Sequence, residues 1–131
     1  MLATLLFLAF AEPDVVVTRS AAVPAIERIL KADNLDLDAL SPQEIAAAMR
    51  DIQQGAAPRD FWLAYQAHVS AWSDYAAALD AAARRQPGEP APRESEWAVG
   101  TARTRINATF DEVERLARQR GATIPLPRTR I

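Results

Sequence analysis

The sequence predicts an all-α protein: a long antiparallel helical hairpin completed by two shorter helices into a three- or four-helix bundle. Three observations carry that expectation. Half of the 131 residues are hydrophobic, and much of that half is alanine, the strongest helix former. Apolar residues recur at spacings of three and four through two long stretches, about 58–86 and 93–120. Between them "QPGEPAP" sets three prolines and a glycine in seven residues, which ends any helix. Long helices joined by so short a loop must run antiparallel.

The chain opens with "MLATLLFLAFA", an apolar run closed by Ala9-Phe10-Ala11 ahead of Glu12-Pro13. Small residues three and one before a polar start are what a signal peptidase accepts. Eleven residues are too few to span a bilayer, which takes about 20. Residues 1–11 therefore read as a signal peptide, although no Lys or Arg precedes the run, and the product is expected in the periplasm or outside the cell. Residues 12–122 form one expected helical domain, and 123–131 an extended basic tail.

A first helix is expected at about 20–32, with Ile26, Ile29 and Leu30 on its apolar face. Pro24 sits in its first turn, where the missing N–H costs little. Asn34 is expected to leave it in the left-handed conformation. "DNLDLDALSPQE" resembles a calcium loop only in its acidity. With Asp33 first and Glu44 twelfth, leucines occupy positions three and five, and Asp38 takes the sixth place, where the turn needs glycine. The same stretch holds a helix start instead. Ser41 as N-cap, Pro42 first and Glu44 third form a capping box, with Leu40 and Ile45 flanking it as a hydrophobic staple. That helix is expected over about 42–54, burying Ile45, Ala48, Met49 and Ile52, with Gly55 ending it.

Pro58 opens the third helix and Pro92 the fourth, which Gly121 closes. In the third, Phe61, Tyr65, His68, Trp72 and Tyr75 fall on one stripe; in the fourth, so do Trp97, Val99, Ala102, Ile106, Phe110, Val113, Leu116 and Ala117. Folding the hairpin near residue 90 sets Phe110 at the level of 69–72, Val113 at 65–67 and Leu116 at 61–63. Trp97 then faces the alanines of 76–83, large against small, as close packing requires. Asp80–Arg84, Asp111–Arg115 and Glu114–Arg118 are expected as solvent-side pairs, and Ile124 and Leu126 as tail residues packing back.

Charge and composition exclude more than they assign. The net charge is −2, with a balance of −4 over residues 1–60 and +2 over 61–131, so nucleic acid is not an expected partner. There is no cysteine, which removes disulfides, thiolate metal sites and cysteine nucleophiles. No phosphate-binding glycine loop, G-x-S-x-G elbow or H-E-x-x-H motif is present. The Asn107-Ala108-Thr109 sequon falls in mid-helix.

Two stretches carry a resemblance. Pro58-Arg59-Asp60-Phe61 with Tyr65, His68, Ala71 and Trp72, and "TFDEVERLARQRGA" at 109–122, resemble segments of small bacterial exported helical proteins. The resemblance covers about a quarter of the chain and implies a helical domain, with no activity attached. The expected function is non-enzymatic: a helical bundle, without cofactor, that binds a protein or envelope partner. Arg128 and Arg130 of the tail are the candidate partner contacts. Two other readings stand beside it. One is a small-ligand or haem-binding bundle using His68, with Tyr65 and Trp72; the first expectation for His68 is a hydrogen-bonded core or edge residue, and otherwise a pH-sensing contact. The other is a membrane-surface protein that keeps residues 1–11 uncleaved.

Overall fold

The computed structural model describes residues 21–85, 88, 93–126 and 131. They form four helices: α1 over 21–33, α2 Pro42–Arg50, α3 Arg59–Ala83 and α4 Arg93–Gln119. There is no strand among the described residues. The leader 1–11 and the tail arginines Arg128 and Arg130 lie outside the described residues.

α3 and α4 are the antiparallel pair, at 25 and 27 residues each about 40 Å long. Cross-helix contacts fix their register. His68 meets Thr109 and Phe110, Asp74 meets Arg105, Tyr75 meets Arg103, and Asp60 meets Arg120, so the pairs centre near residue 89. This is the expected register to within one turn. Phe61, Tyr65, His68 and Val113 are fully buried between the helices, with Trp72, Ile106 and Ala117 beside them. The core forms there because rings from α3 alternate with small and branched residues of α4.

The capping box at α2 is fully made. Ser41 Oγ accepts from the Glu44 N–H at 3.1 Å, and Glu44 returns a carboxylate to the Ser41 N–H at 3.1 Å. α2 stops at Arg50 rather than at 54. The Asp51 and Ile52 amides turn back to the carbonyls of Ala48 and Met49, and the Arg28 guanidinium takes those of Gln53 and Gln54 at 2.9 and 3.2 Å. Arginine from α1 thus satisfies acceptors that a continued helix would have used. Gly55 is needed at this corner: its φ is 55°, and a Cβ there would lie 2.8 Å from Arg28 Nη2. Ile45 and Met49 are buried, whereas Ala48 is only half-buried and Ile52 packs from outside the helix.

Other local expectations need correction. No non-glycine residue has a positive φ among the described residues, so Asn34 does not end α1 in the left-handed conformation. Instead the acidic segment turns on Asp36, whose Oδ1 accepts from the Asp38 and Ala39 amides, while Leu35, Leu37 and Leu40 pack on the core. α4 ends as foreseen at Gly121, with φ 80°. The Ala122 amide reaches the Ala117 carbonyl and the Gly121 amide that of Arg118, a complete Schellman motif. Beyond it Ile124 packs on the core, but Leu126 is exposed. Arg118 pairs with Glu114 as expected, at 3.1 Å. Arg115 pairs with Glu112 at 2.6 Å, and Asp80 accepts from Gln43 Nε2 of α2 instead of pairing with Arg84. Trp97 does not enter the alanine-rich end: it is 72 % exposed.

The last point follows from where the short helices sit. α1 reaches α3 through Asp33 and Tyr65 and the segment after α4 through Glu27 and Thr123. Through Gln43, α2 bonds α3 at the Ala76 carbonyl and the Asp80 carboxylate. Together they pack on the part of the hairpin that holds its buried rings. Toward the interhelical loop burial falls away. α3 has no buried residue after Ala76 and α4 none before Ala102.

Two substitutions test this account by urea denaturation. Gly55→Ala should cost about 1–3 kcal/mol, from a strained φ and the displaced Arg28. Gly100→Ala, in mid-helix with open space around its Cβ position, should stabilise by about 0.5–1 kcal/mol. A stable Gly55→Ala protein would remove the corner from the argument.

Candidate functional site

Two places hold residues able to do more than pack. The first is a buried polar line through the core. Asp33, the last residue of α1, is 2 % exposed and accepts the Tyr65 hydroxyl at 3.0 Å. One turn along α3, His68 is fully buried, its ring 6.3 Å from Tyr65 and 5.3 Å from Phe110. Its Nδ1 lies 2.9 Å from Thr109 Oγ1. The Thr109 hydroxyl is in turn 2.8 Å from the Arg105 carbonyl and 3.1 Å from that of Ile106. The direction of the His68–Thr109 bond follows the ring tautomer, since the hydroxyl can donate to one partner and accept from another.

Electrostatics follow from burial. Desolvation holds the His68 pKa down at about 4, opposed only in part by the Ile106 carbonyl. Desolvation also raises the Tyr65 hydroxyl above its ordinary value. Both groups are therefore neutral at pH 7. Trp72 lies next along the stripe, edge-on to Tyr75 at 5.9 Å, and its Nε1 is buried with no acceptor among the described residues. Tyr65, His68 and Trp72 are brought together as the spacing implied, but none of them lines the cleft between α3 and α4. The line joins α1, α3 and α4.

The second place is the uncovered end of the hairpin. A cleft of about 620 Å³ opens between the last turns of α3 and the first half of α4. Leu79, Ala82, Val99 and Gly100 supply its apolar wall, and Arg84, Arg85 and Arg103 its rim. Arg103 is held in place by Tyr75, with Nη2 3.5 Å from the phenol oxygen and the guanidinium 6.0 Å from the ring centre. None of the three arginines is in an ion pair among the described residues. Glu96 is the one acid on the lining among the described residues. Arg84 and Arg85 also lie at the negative end of the α3 dipole, which favours cations there whatever binds.

Periodicity could not reveal this cleft. The alanine run of α3 reads as room for a ring, and Trp97 as the ring that fills it. Trp97 points to the outer face of α4, beside Thr101 and Thr104. The available signals were a glycine inside an otherwise regular helix at Gly100 and the adjacent Arg84-Arg85. Asn107, the asparagine of the sequon, donates its side-chain amide to the Ile131 carbonyl at 2.9 Å, a packing role.

The polar line makes stability depend on pH. His68 takes a proton at about pH 6.5 when unfolded and at about 4 when folded. Its neutral form therefore contributes fully above pH 6.5, and that contribution is lost as the pH falls to 4, by about 3 kcal/mol. His68→Gln should flatten this part of the stability–pH curve, read by urea melts at steps from pH 7 to 4; equal slopes in both proteins would contradict the assignment. Tyr65→Phe, which takes the hydroxyl from buried Asp33, should cost about 1–3 kcal/mol at pH 7 by the same melts.

No family model matches the chain, and no curated protein or solved structure matches it either.

Proposed function

We propose that this chain is an exported, non-enzymatic helical bundle that binds a protein or envelope component at the open end of its hairpin. The observation that carries the reading is the division of labour between the two places described above. Groups with useful acid–base chemistry, His68 and Tyr65, are sealed into the core and neutral. Apolar surface and arginines in no ion pair among the described residues line the cleft together. An apolar wall with a few convergent polar groups is the usual form of a binding site. The export element rests on residues 1–11 of the sequence. No helix among the described residues is long and apolar enough to cross a membrane.

The reading that uses His68 as a ligand to haem or a small molecule has less support. The ring would have to leave Thr109 and Phe110 and open the seam between α3 and α4. Arg128 and Arg130 remain partner contacts only as the sequence proposes them.

The test is photo-crosslinking in the native host. Ala82 or Val99 is replaced by p-benzoylphenylalanine, with exposed Arg50 of α2 as the control position, and adducts are read by intact mass. A discrete adduct from positions 82 and 99, absent from 50, is the expected result. No adduct from either cleft position would overturn the reading.

A further inference from the structure

We propose that the occupant of the cleft is a single-chain anionic amphiphile, a monomeric long-chain carboxylate whose tail lies on Leu79, Ala82, Val99 and Gly100 and whose head meets Arg84, Arg85 and Arg103. The inference rests on the binding role given above and names the class of ligand. Three observations point to it.

Size comes first. A half-open cleft of about 620 Å³ between two helices falls within the range of small-ligand sites. Charge comes second. Three arginines and one glutamate line the cleft, and none of the arginines has a carboxylate partner among the described residues. A guanidinium matches a carboxylate in shape and can bind both of its oxygens. One of the three, Arg103, is already oriented by Tyr75, which lowers the cost of ordering it on binding.

Gly100 is the third observation. A glycine inside a helix is unfavourable relative to alanine, and here a Cβ would meet nothing within 4 Å. Packing within the chain therefore does not explain it. Its bare backbone faces the cleft, where a side chain would take up space that a tail can use.

The probe is sodium dodecanoate below its micelle concentration, titrated calorimetrically into the purified full chain. Saturable binding of one dodecanoate per chain is expected. The double variant R84E/R85E should weaken it by about tenfold or more, both side chains being exposed. Gly100→Leu should weaken it comparably by filling the cleft, with circular-dichroism melts checking that each variant is folded. Uncharged 1-decanol should bind far more weakly than the carboxylate. Absence of binding to the folded wild type, or binding unchanged in both variants, overturns the proposal. The crosslinking result separates the two claims: a protein-sized adduct from position 82 with no dodecanoate binding leaves a binding cleft with a different occupant.

Discussion

The seating of His68 between α3 and α4 is the constraint on which the other contacts depend. A neutral imidazole, wrapped by Tyr65 and Phe110 and bonded to Thr109, fits at one level of the hairpin only. A shift of one helix by a turn would take Thr109 from the buried ring nitrogen, at a cost of about 1–3 kcal/mol. From that level the remaining cross-helix pairs follow in step, Asp74 with Arg105 on one side and Asp60 with Arg120 at the far end. Those two pairs are exposed and each is worth at most about 1 kcal/mol. They mark the register more than they set it.

Unequal lengths do the rest. Two helices of about 40 Å cannot be covered by α1 and a nine-residue α2. The short helices settle where the rings are, because aromatic side chains offer the most area to bury. The alanine-rich turns are left over. A small-residue interface lets the helices approach closely but offers little to a third layer, so the same composition that makes α3 a good helix also leaves its far end open.

This explains which parts of the structure the sequence made legible. The α2 start was readable because a capping box is local: Ser41, Pro42 and Glu44 satisfy one another without help. The hairpin register was readable because both stripes are periodic and the loop is short. What failed depended on a third body. α2 ends early because Arg28, distant in sequence, takes the carbonyls of Gln53 and Gln54. Asp80 turns to Gln43 for the same kind of reason. Trp97 was misplaced because spacing gives the angular position of a residue on its helix but not whether anything lies opposite. In the candidate site, the buried stripe was visible from its spacing. The cleft was not, since it is a space, defined by how far α1 and α2 reach.

α1 makes polar contacts with three different parts of the molecule: Glu27 with the amide of Thr123, Arg28 with the carbonyls before Gly55, and Asp33 with Tyr65. It cannot leave without releasing the exit of α4, the corner after α2 and the centre of α3 together. The covered half should therefore unfold as one cooperative unit, its amides exchanging with solvent hydrogen only through global opening. The turns around Leu79 and Val99, with no fully buried residue, belong to a second and weaker tier that can open alone. A molecule seated there would tighten that tier first. Binding would then be visible as slowed exchange at one end of a protein whose other end does not register it.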